Sequence, residues 1–322
     1  METYYKKEVK TSMTDRVSWE YYKYKRYLGI LCRKYLHFEF SSYAGKKLLS
    51  PEKGNTAIKN LIENGMPFVA ARFGATELSV LIEREGKRIR KVSENMDQNL
   101  CTLSGFFPED KVYVDRFVQM MMDEISQIDI LGIWYKPEEE YIVNRYMEHA
   151  MVTNIEAMEP YIYETPWSKA LKEKKVLVIH PFTESIERQY LNHRQLFLNP
   201  DVLPDFEIKT IRAVQTLAGE KDARFETWFD ALDYMKEMMD AVDYDIAVIG
   251  CGAYGMPLAI HAKKMKKQAV HMGGATQILF GIKGSRWDQN PIISGLYNEY
   301  WVRPNQSEMI TRQDAVENGC YW

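Results

Sequence analysis

The stretch DIAVIGCGAYGMPLAIHAKKMKK, residues 245–267, decides the fold of this chain. Its first part, DIAVIG, is an apolar run of strand length, and LAIHAKKMKK has the composition of a helix. Between them Gly250, Gly252 and Gly255 form a G-x-G-x-x-G turn, with Pro257 where a first helical turn tolerates proline. Such a turn brings the backbone close to a phosphate group at a helix N-terminus. The stretch therefore predicts a strand–turn–helix unit that holds the phosphate end of a ligand, with Tyr254 beside it.

Further apolar runs of strand length recur between helical segments. They occupy residues 129–134, 175–182, 207–216 and 268–274, and FVAARFG (68–74) precedes another helix start. Because these runs are apolar throughout, they predict strands that helices cover on both faces. We expect an α/β fold with a Rossmann-like, doubly wound, mostly parallel sheet over residues 55–322, ending in a C-terminal arm (290–322). Residues 1–54 would form a basic, aromatic helical extension.

Composition narrows the class of protein. The formal net charge of -3 over 322 residues indicates no attraction to nucleic acid, so we expect no nucleic-acid partner. Cys32, Cys101, Cys251 and Cys320 form no C-x-x-C pair, which argues against a zinc ribbon or a disulfide framework and favours the cytoplasm. No uncharged apolar run approaches the roughly 20 residues that a membrane span needs.

The first 50 residues differ from the rest, since they hold eleven Lys or Arg against five Asp or Glu, with many aromatic residues. One interpretation is an amphipathic helix that packs its Tyr and Leu face on the body. The other is a helix that lies on an anionic membrane and makes the protein peripheral to it.

The residues after the glycine turn indicate which nucleotide it would bind. A dinucleotide site places Asp or Glu about 20 residues beyond the turn to bind the ribose, but the next strand ends in His271 and no acid occurs between Cys251 and Trp287. This weakens an NAD site. Beyond that strand, the candidates for contact with a phosphate or sugar are Gly273, Gly274, Gln277, Lys283 and Arg286.

Two other strand ends carry polar residues. Arg72-Phe73-Gly74-Ala75-Thr76-Glu77 leads into a helix, where Arg72 could clamp a phosphate and Glu77 could bind a metal, orient a sugar hydroxyl or serve the helix dipole. After the run KVLVI, His180 could act as a general base on an acceptor hydroxyl or contact a phosphate, with Glu184 as a second candidate base, or it could be structural.

These motifs together resemble the bacterial glycosyltransferases of the GT-D fold, which belong to surface-polysaccharide gene clusters. The turn at Arg72 to Glu77 is similar to the family's R-F-G-D-G-E, SGFFP (104–108) to its Phe-Phe-Pro element, and residues 249–274 to its closing strand, turn, helix and strand. The resemblance covers residues 55–290. It implies a nucleotide-sugar donor and a divalent metal held by an Asp-x-Glu motif.

The chain departs from that motif, because Ala75 replaces the Asp and Glu77 alone matches the Glu. One carboxylate holds Mn²⁺ or Mg²⁺ only weakly, so the resemblance leaves metal dependence open and Arg72, Lys283 or Arg286 could neutralise the leaving diphosphate instead.

We therefore expect a glycosyltransferase of capsule or other cell-surface polysaccharide synthesis. It would transfer a sugar from a nucleotide-diphosphate donor, a UDP-sugar in the first instance, to a saccharide or lipid-linked acceptor. The alternatives are another nucleotide-binding enzyme, either an NAD-dependent oxidoreductase or a methyltransferase, and a non-catalytic assembly protein.

Overall fold

The computed structural model describes residues 12–31, 41–90, 97–136, 138–220 and 222–322. Cys32 and the other residues of 1–11 and 32–40 in the N-terminal extension therefore lie outside the described residues. The strands are β1 Ser42–Tyr43, β2 Lys46–Leu49, β3 Val69–Arg72, β4 Ile130–Ile133, β5 Met151–Asn154, β6 Lys175–His180, β7 Glu207–Arg212, β8 Ile246–Ile249 and β9 Gln268–His271. The α-helices are α1 Met13–Leu31, α2 Pro51–Glu63, α3 Ala75–Arg90, α4 Asp97–Ser104, α5 Lys111–Glu124, α6 Glu139–Tyr146, α7 Thr183–Tyr190, α8 His193–Leu196, α9 Trp228–Asp240, α10 Gly255–Lys264, α11 Thr276–Leu279, α12 Ser285–Asp288 and α13 Pro291–Ser294.

The nine strands form one sheet in the order β1-β2-β5-β4-β3-β9-β8-β6-β7. Only β1 and β2 pair antiparallel, and every other pair is parallel. The predicted α/β fold with a mostly parallel sheet and an N-terminal helix is thereby confirmed. None of the helices in the described part of the chain is long and apolar enough to cross a membrane.

Alternate residues of the central strands feed two cores, one on each face of the sheet. Val69 and Ala71 of β3 enter the core that contains α3, α5, α9 and α10, whereas Ala70 enters the core that contains α2, α7 and the C-terminal segment. Side chains of consecutive strand residues point to opposite faces, so a strand covered on both faces must be apolar at every position. This is why the strands lack polar alternation.

The sheet has a switch point between β6 and β8. From β6 the chain crosses to β7 at the sheet edge, whereas from β8 it crosses in the opposite direction to β9. Neighbouring crossovers that diverge leave a crevice beyond the carboxyl ends of the two strands, where α/β proteins bind ligands. His180 and Gly250 lie at those two ends.

Three strands, β1, β2 and β5, were not predicted from the sequence. β2 pairs parallel with β5 and extends the sheet, while β1 adds an antiparallel edge. The expected boundary at residue 54 falls inside α2, which Ser50 caps through a hydrogen bond from the Lys53 N–H. Strand β2, KKLL, is short and half polar, so it gave no apolar run in the sequence.

Candidate functional site

A cavity of about 440 Å³ lies at the carboxyl edge of the sheet, across the switch point. The residues that follow β3, β4, β6, β8 and β9 line it, together with the end of α4 and the C-terminal residues. Twelve of the predicted site residues are among its lining: Arg72, Gly74, Glu77, His180, Gly250, Gly252, Tyr254, His271, Gly273, Gly274, Gln277 and Arg286.

Arg72, the last residue of β3, brings a cation into this cavity. Its guanidinium carbon lies 4.7 Å from the centre of the Trp134 ring, a cation–π contact. Within the described residues, no carboxylate or carbonyl accepts a hydrogen bond from the guanidinium. Burial lowers the pKa of Arg72, and the charge of nearby Glu159 opposes that effect. The cavity therefore contains a guanidinium whose donors are available to an anion.

Trp134 is held in place from two sides. Its indole N–H donates to the Phe73 carbonyl at 2.6 Å, and its backbone N–H donates to both carboxylate oxygens of Glu139 at 3.0 Å. Glu139 is fully buried and also accepts from the Tyr43 hydroxyl at 2.8 Å. Burial raises the pKa of Glu139 to about 7, against these hydrogen bonds. Glu139 thus positions the ring on which Arg72 rests.

His180 ends β6 as a neutral hydrogen-bond donor. Its Nδ1 accepts from the Phe182 N–H at 3.0 Å, so in the neutral ring Nε2 carries the proton. Burial lowers the pKa of His180 to about 3, which keeps the ring uncharged at neutral pH. A ring in this tautomer cannot take up a further proton without losing the Phe182 bond. The geometry therefore favours the expected phosphate contact over the expected general base.

His271, two strands away at the end of β9, has the opposite tautomer. Its Nδ1 donates to the Ile249 carbonyl at 3.2 Å, which leaves Nε2 with a lone pair. Burial, with help from the positive charge of Arg72, lowers the pKa of His271 to about 4. The cavity wall thus offers one neutral imidazole donor and one neutral imidazole acceptor.

The three glycines of the 250–255 turn serve the packing of the protein itself. A Cβ on Gly250 would lie 2.5 Å from the Gly273 carbonyl oxygen, one on Gly252 would lie 3.0 Å from the Ser104 carbonyl oxygen, and one on Gly255 would lie 2.1 Å from the His271 ring. Only glycine fits these contacts, and Gly252 also has a φ of +55°. Neighbouring segments occupy the space beside these glycines, and the binding of a phosphate at the turn stays a prediction. Tyr254 likewise stacks on Trp228 with centroids 4.9 Å apart, as a core residue does.

The same turn still offers hydrogen-bond donors to the cavity. Cys251 and Gly252 line it, and none of the described residues accepts from their backbone N–H groups. These groups precede α10, whose N-terminus carries partial positive charge. Cys251, Gly252 and Arg72 thus line the same cavity.

Glu77, in the first turn of α3, places a carboxylate in the cavity wall. It is buried, accepts from the Thr76 hydroxyl at 2.8 Å, and its carboxylate covers Gly74, where a Cβ would lie 1.9 Å from an oxygen. The described residues contain no group of three or more His, Cys, Asp or Glu side chains that could hold a metal ion. A single carboxylate that is already hydrogen-bonded is a poor ligand set for Mn²⁺ or Mg²⁺, so we assign no step to a metal.

The C-terminal segment closes one side of the cavity. Arg286 pairs with Glu317 and lies 4.9 Å from the centre of the Tyr321 ring, and Tyr321 covers Gly274 at a distance that no Cβ would permit. Gln277 donates to the carbonyl of Tyr321 at 3.1 Å, while its own Oε1 is buried without a partner among the described residues. The predicted C-terminal arm packs on the body, and its last residues form part of the cavity wall.

Three predicted site residues do not line the cavity. Glu184 is half exposed at the start of α7 and pairs with Arg212 at 3.2 Å, so the structure does not place it as a base. Lys283 lies 5.1 Å from the centre of the Tyr297 ring, outside the cavity. Gly255 is buried behind His271.

Sequence reasoning missed Trp134 and Thr216, which also line the cavity. Trp134 is the last residue of the predicted run 129–134, so the rule that ligands bind at strand ends could have found it. Thr216 ends the predicted run 207–216, so the same rule pointed to it; it lies four residues beyond β7 and donates a hydrogen bond to the Gly105 carbonyl at 2.6 Å.

No protein-family model matches the sequence, and no curated protein matches it either. Among solved structures, the chain is similar to one described as a selenomethionine-substituted domain of unknown function 1792. The two share 13% sequence identity with a TM-score of 0.40, over 73% of this chain and 80% of that chain. A likeness of this degree assigns no activity, and the function must be argued from the cavity.

Proposed function

We propose that the chain is a glycosyltransferase that takes a sugar from a nucleotide-diphosphate donor, a UDP-sugar in the first instance. The observation that carries the proposal is the Arg72 guanidinium, which rests on Trp134 in a cavity of ligand size without a hydrogen-bond acceptor among the described residues. A partly buried guanidinium without a hydrogen-bond acceptor is suited to an anionic ligand, which would accept from its N–H groups. The resemblance of the Arg72 to Glu77 turn to the GT-D glycosyltransferases supports a diphosphate as that anion.

The residues of the cavity suit a division of roles. Arg72 and the N–H groups of Cys251 and Gly252 would bind the diphosphate, and the His180 Nε2–H would donate a further hydrogen bond to it. In transfer, the acceptor oxygen bonds to the anomeric carbon as the bond from that carbon to the diphosphate breaks. Glu77 would take the proton of the acceptor hydroxyl, and Arg72 would stabilise the charge on the leaving diphosphate.

The acceptor in this proposal is a saccharide or a lipid-linked saccharide of cell-surface polysaccharide synthesis, and the enzyme acts on the cytoplasmic side of the membrane. The capsular pathway is an extension of the same proposal. It rests on the resemblance of the motifs, because the cavity itself recognises only the donor by its charge.

Isothermal titration calorimetry with UDP tests donor binding. We expect saturable binding without added metal and little change on addition of Mn²⁺ or EDTA. Absence of heat at millimolar UDP, with and without Mn²⁺, would overturn the proposal, and a preference for NAD or S-adenosylmethionine over UDP would replace it with another nucleotide-binding enzyme.

A transfer assay separates an enzyme from a protein that only binds. Release of UDP from a panel of UDP-sugars in the presence of acceptor should be lost in Glu77→Gln while UDP binding remains. If the wild-type protein binds UDP but releases none from any donor, the cavity is a binding site without chemistry.

A further inference from the structure

Helix α1 has one face packed on the body and an apolar face left open. Trp19 and Tyr22 are buried on the packed side, where the Trp19 and Tyr141 ring centroids are 4.9 Å apart. The side chains that are exposed on the opposite side include seven apolar or aromatic ones: Met13, Val17, Tyr21, Tyr24, Tyr27, Leu28 and Leu31. We call these seven residues the open face of α1. Exposure of so many large apolar side chains on one helix marks a contact surface.

The spacing of the open face shows that it is continuous. Val17, Tyr21, Tyr24, Leu28 and Leu31 follow one another at alternating intervals of four and three residues, which aligns them along one side of a helix. From Val17 to Leu31 this stripe extends for about 21 Å along the 19-residue helix. A continuous apolar stripe of this length differs from the single exposed apolar side chains that are common on protein surfaces.

The charge of this part of the chain indicates what covers the stripe. The first 50 residues carry an excess of six positive charges, in a chain whose formal net charge is -3. Lys23 and Lys25 pair with Glu138 and Glu140, so the surplus lies largely in Arg16 and in the basic residues that precede and follow the helix in the sequence. Two copies of such a segment would repel each other, whereas an anionic surface would attract it. Three of the seven side chains are tyrosines, which favour the boundary between water and an apolar phase.

We propose that the open face of α1 docks on an anionic phospholipid membrane. The apolar and aromatic side chains would enter the boundary between headgroups and acyl chains, and exposed Arg16 at the border of the stripe would contact the lipid phosphates. The opposite face stays on the protein, so the helix need not unfold or leave the body to bind.

The docked helix also contacts the wall of the candidate site. Arg26 donates a hydrogen bond to the Tyr135 carbonyl and lies 5.0 Å from the centre of the Tyr135 ring, and the adjacent Trp134 lines the cavity. The membrane surface would therefore be close to the cavity, which suits a lipid-linked acceptor. That last step rests on the proposed function, whereas the docking itself does not.

Co-sedimentation of the full chain with vesicles tests the docking. Wild-type protein should pellet with vesicles of phosphatidylcholine and phosphatidylglycerol, less so at high salt, and should stay in solution with pure phosphatidylcholine.

The double variant Tyr24→Glu, Leu28→Glu places two charges on the open face, where the side chains are 64% and 57% exposed. We expect its vesicle-bound fraction to fall at least about tenfold. Leu198→Glu is the matched control, because Leu198 is a fully exposed apolar residue elsewhere in the chain, and it should bind like the wild type.

Each outcome decides the proposal. It is overturned if the wild-type protein ignores anionic vesicles, or if the double variant binds them as well as the wild type does. A wild-type dimer in light scattering that the double variant abolishes would assign the open face to a second copy instead. Unchanged melting and unchanged UDP titration of the double variant would show that a loss of vesicle binding reflects neither unfolding nor a damaged cavity, so this proposal and the proposed function can fail separately.

Discussion

Replacing Arg72 with methionine should weaken the binding of UDP without weakening the fold. Arg72 would give the diphosphate charge-assisted hydrogen bonds worth about 1.5–3 kcal/mol each. Loss of a total of about 3 kcal/mol raises the dissociation constant roughly 100-fold. Arg72→Lys keeps the charge but not the planar fork, so its affinity should fall between those of the methionine variant and the wild type.

The stability of the same variant distinguishes a ligand contact from a structural one. The guanidinium donates no hydrogen bond to the described residues, so methionine forfeits the contact with Trp134, about 0.5–1 kcal/mol, and the attraction to nearby Glu159. It also removes a cation whose burial lowers its own pKa, which is a gain in the free energy of unfolding. The two effects nearly cancel, and we expect the melting temperature to shift by less than about 4 °C.

Calorimetry with UDP and differential scanning fluorimetry of the same preparations measure both quantities. Arg194→Met is the matched control, since Arg194 pairs with Asp205 and does not line the cavity, and its affinity for UDP should equal that of the wild type. The reasoning is refuted if Arg72→Met binds UDP within about threefold of the wild type. It is equally refuted if the variant melts more than about 10 °C lower, because Arg72 would then be a structural residue.

Three further predictions concern the residues around Arg72. Gly255→Ala would put a Cβ 2.1 Å from the His271 ring, so we expect the free energy of unfolding in urea to fall by about 1–3 kcal/mol and UDP binding to weaken. Gly86→Ala is the control and should be neutral or stabilising, because its Cβ would meet Trp19 at an ordinary 3.4 Å. Equal losses in both variants would contradict a packing role for Gly255. Because the pKa of His180 is about 3 when folded against 6.5 in the unperturbed residue, its stabilising contribution is complete above pH 6.5 and is lost as the pH falls towards 3. His180→Asn should therefore reduce the loss of stability between pH 7 and pH 5 by about 2 kcal/mol. The quantity to compare is the difference in the free energy of unfolding between the variant and the wild type, because the raised pKa of Glu139 gives both proteins a slope of the opposite sign. Parallel pH profiles of the two proteins would show that His180 is not buried in the neutral form. Glu139→Gln turns an amide towards the N–H donors of Trp134 and Lys136, so it should cost about 1–3 kcal/mol of stability and lower the affinity for UDP several-fold. Glu173→Gln, at an exposed position, should change neither quantity. An unchanged UDP titration of Glu139→Gln would mean that Trp134 does not support the ligand.

The sequence determined where the strands end, because that information is local. An apolar run such as DIAVIG followed by a glycine turn and a helix can form only one kind of unit, and parallel strands bring their carboxyl ends to one edge. The residue pattern alone therefore assigns Arg72, His180, Gly250 and His271 to one edge of the sheet. The short, half-polar strand β2 could not be found in this way, since its pairing with β5 joins residues about a hundred positions apart.

Only the tertiary structure decided what each of those residues does, because side-chain roles depend on partners far away in the chain. Glu184 points to Arg212 and solvent, although it begins a helix at the correct strand end. The glycines of the 250–255 turn make room for Ser104, Gly273 and His271, contacts that no spacing rule contains. The two histidines acquire opposite tautomers from the backbone groups they meet, the Phe182 N–H and the Ile249 carbonyl. Local sequence specifies which elements form, whereas hydrogen-bond partners and buried contacts arise from the way those elements pack.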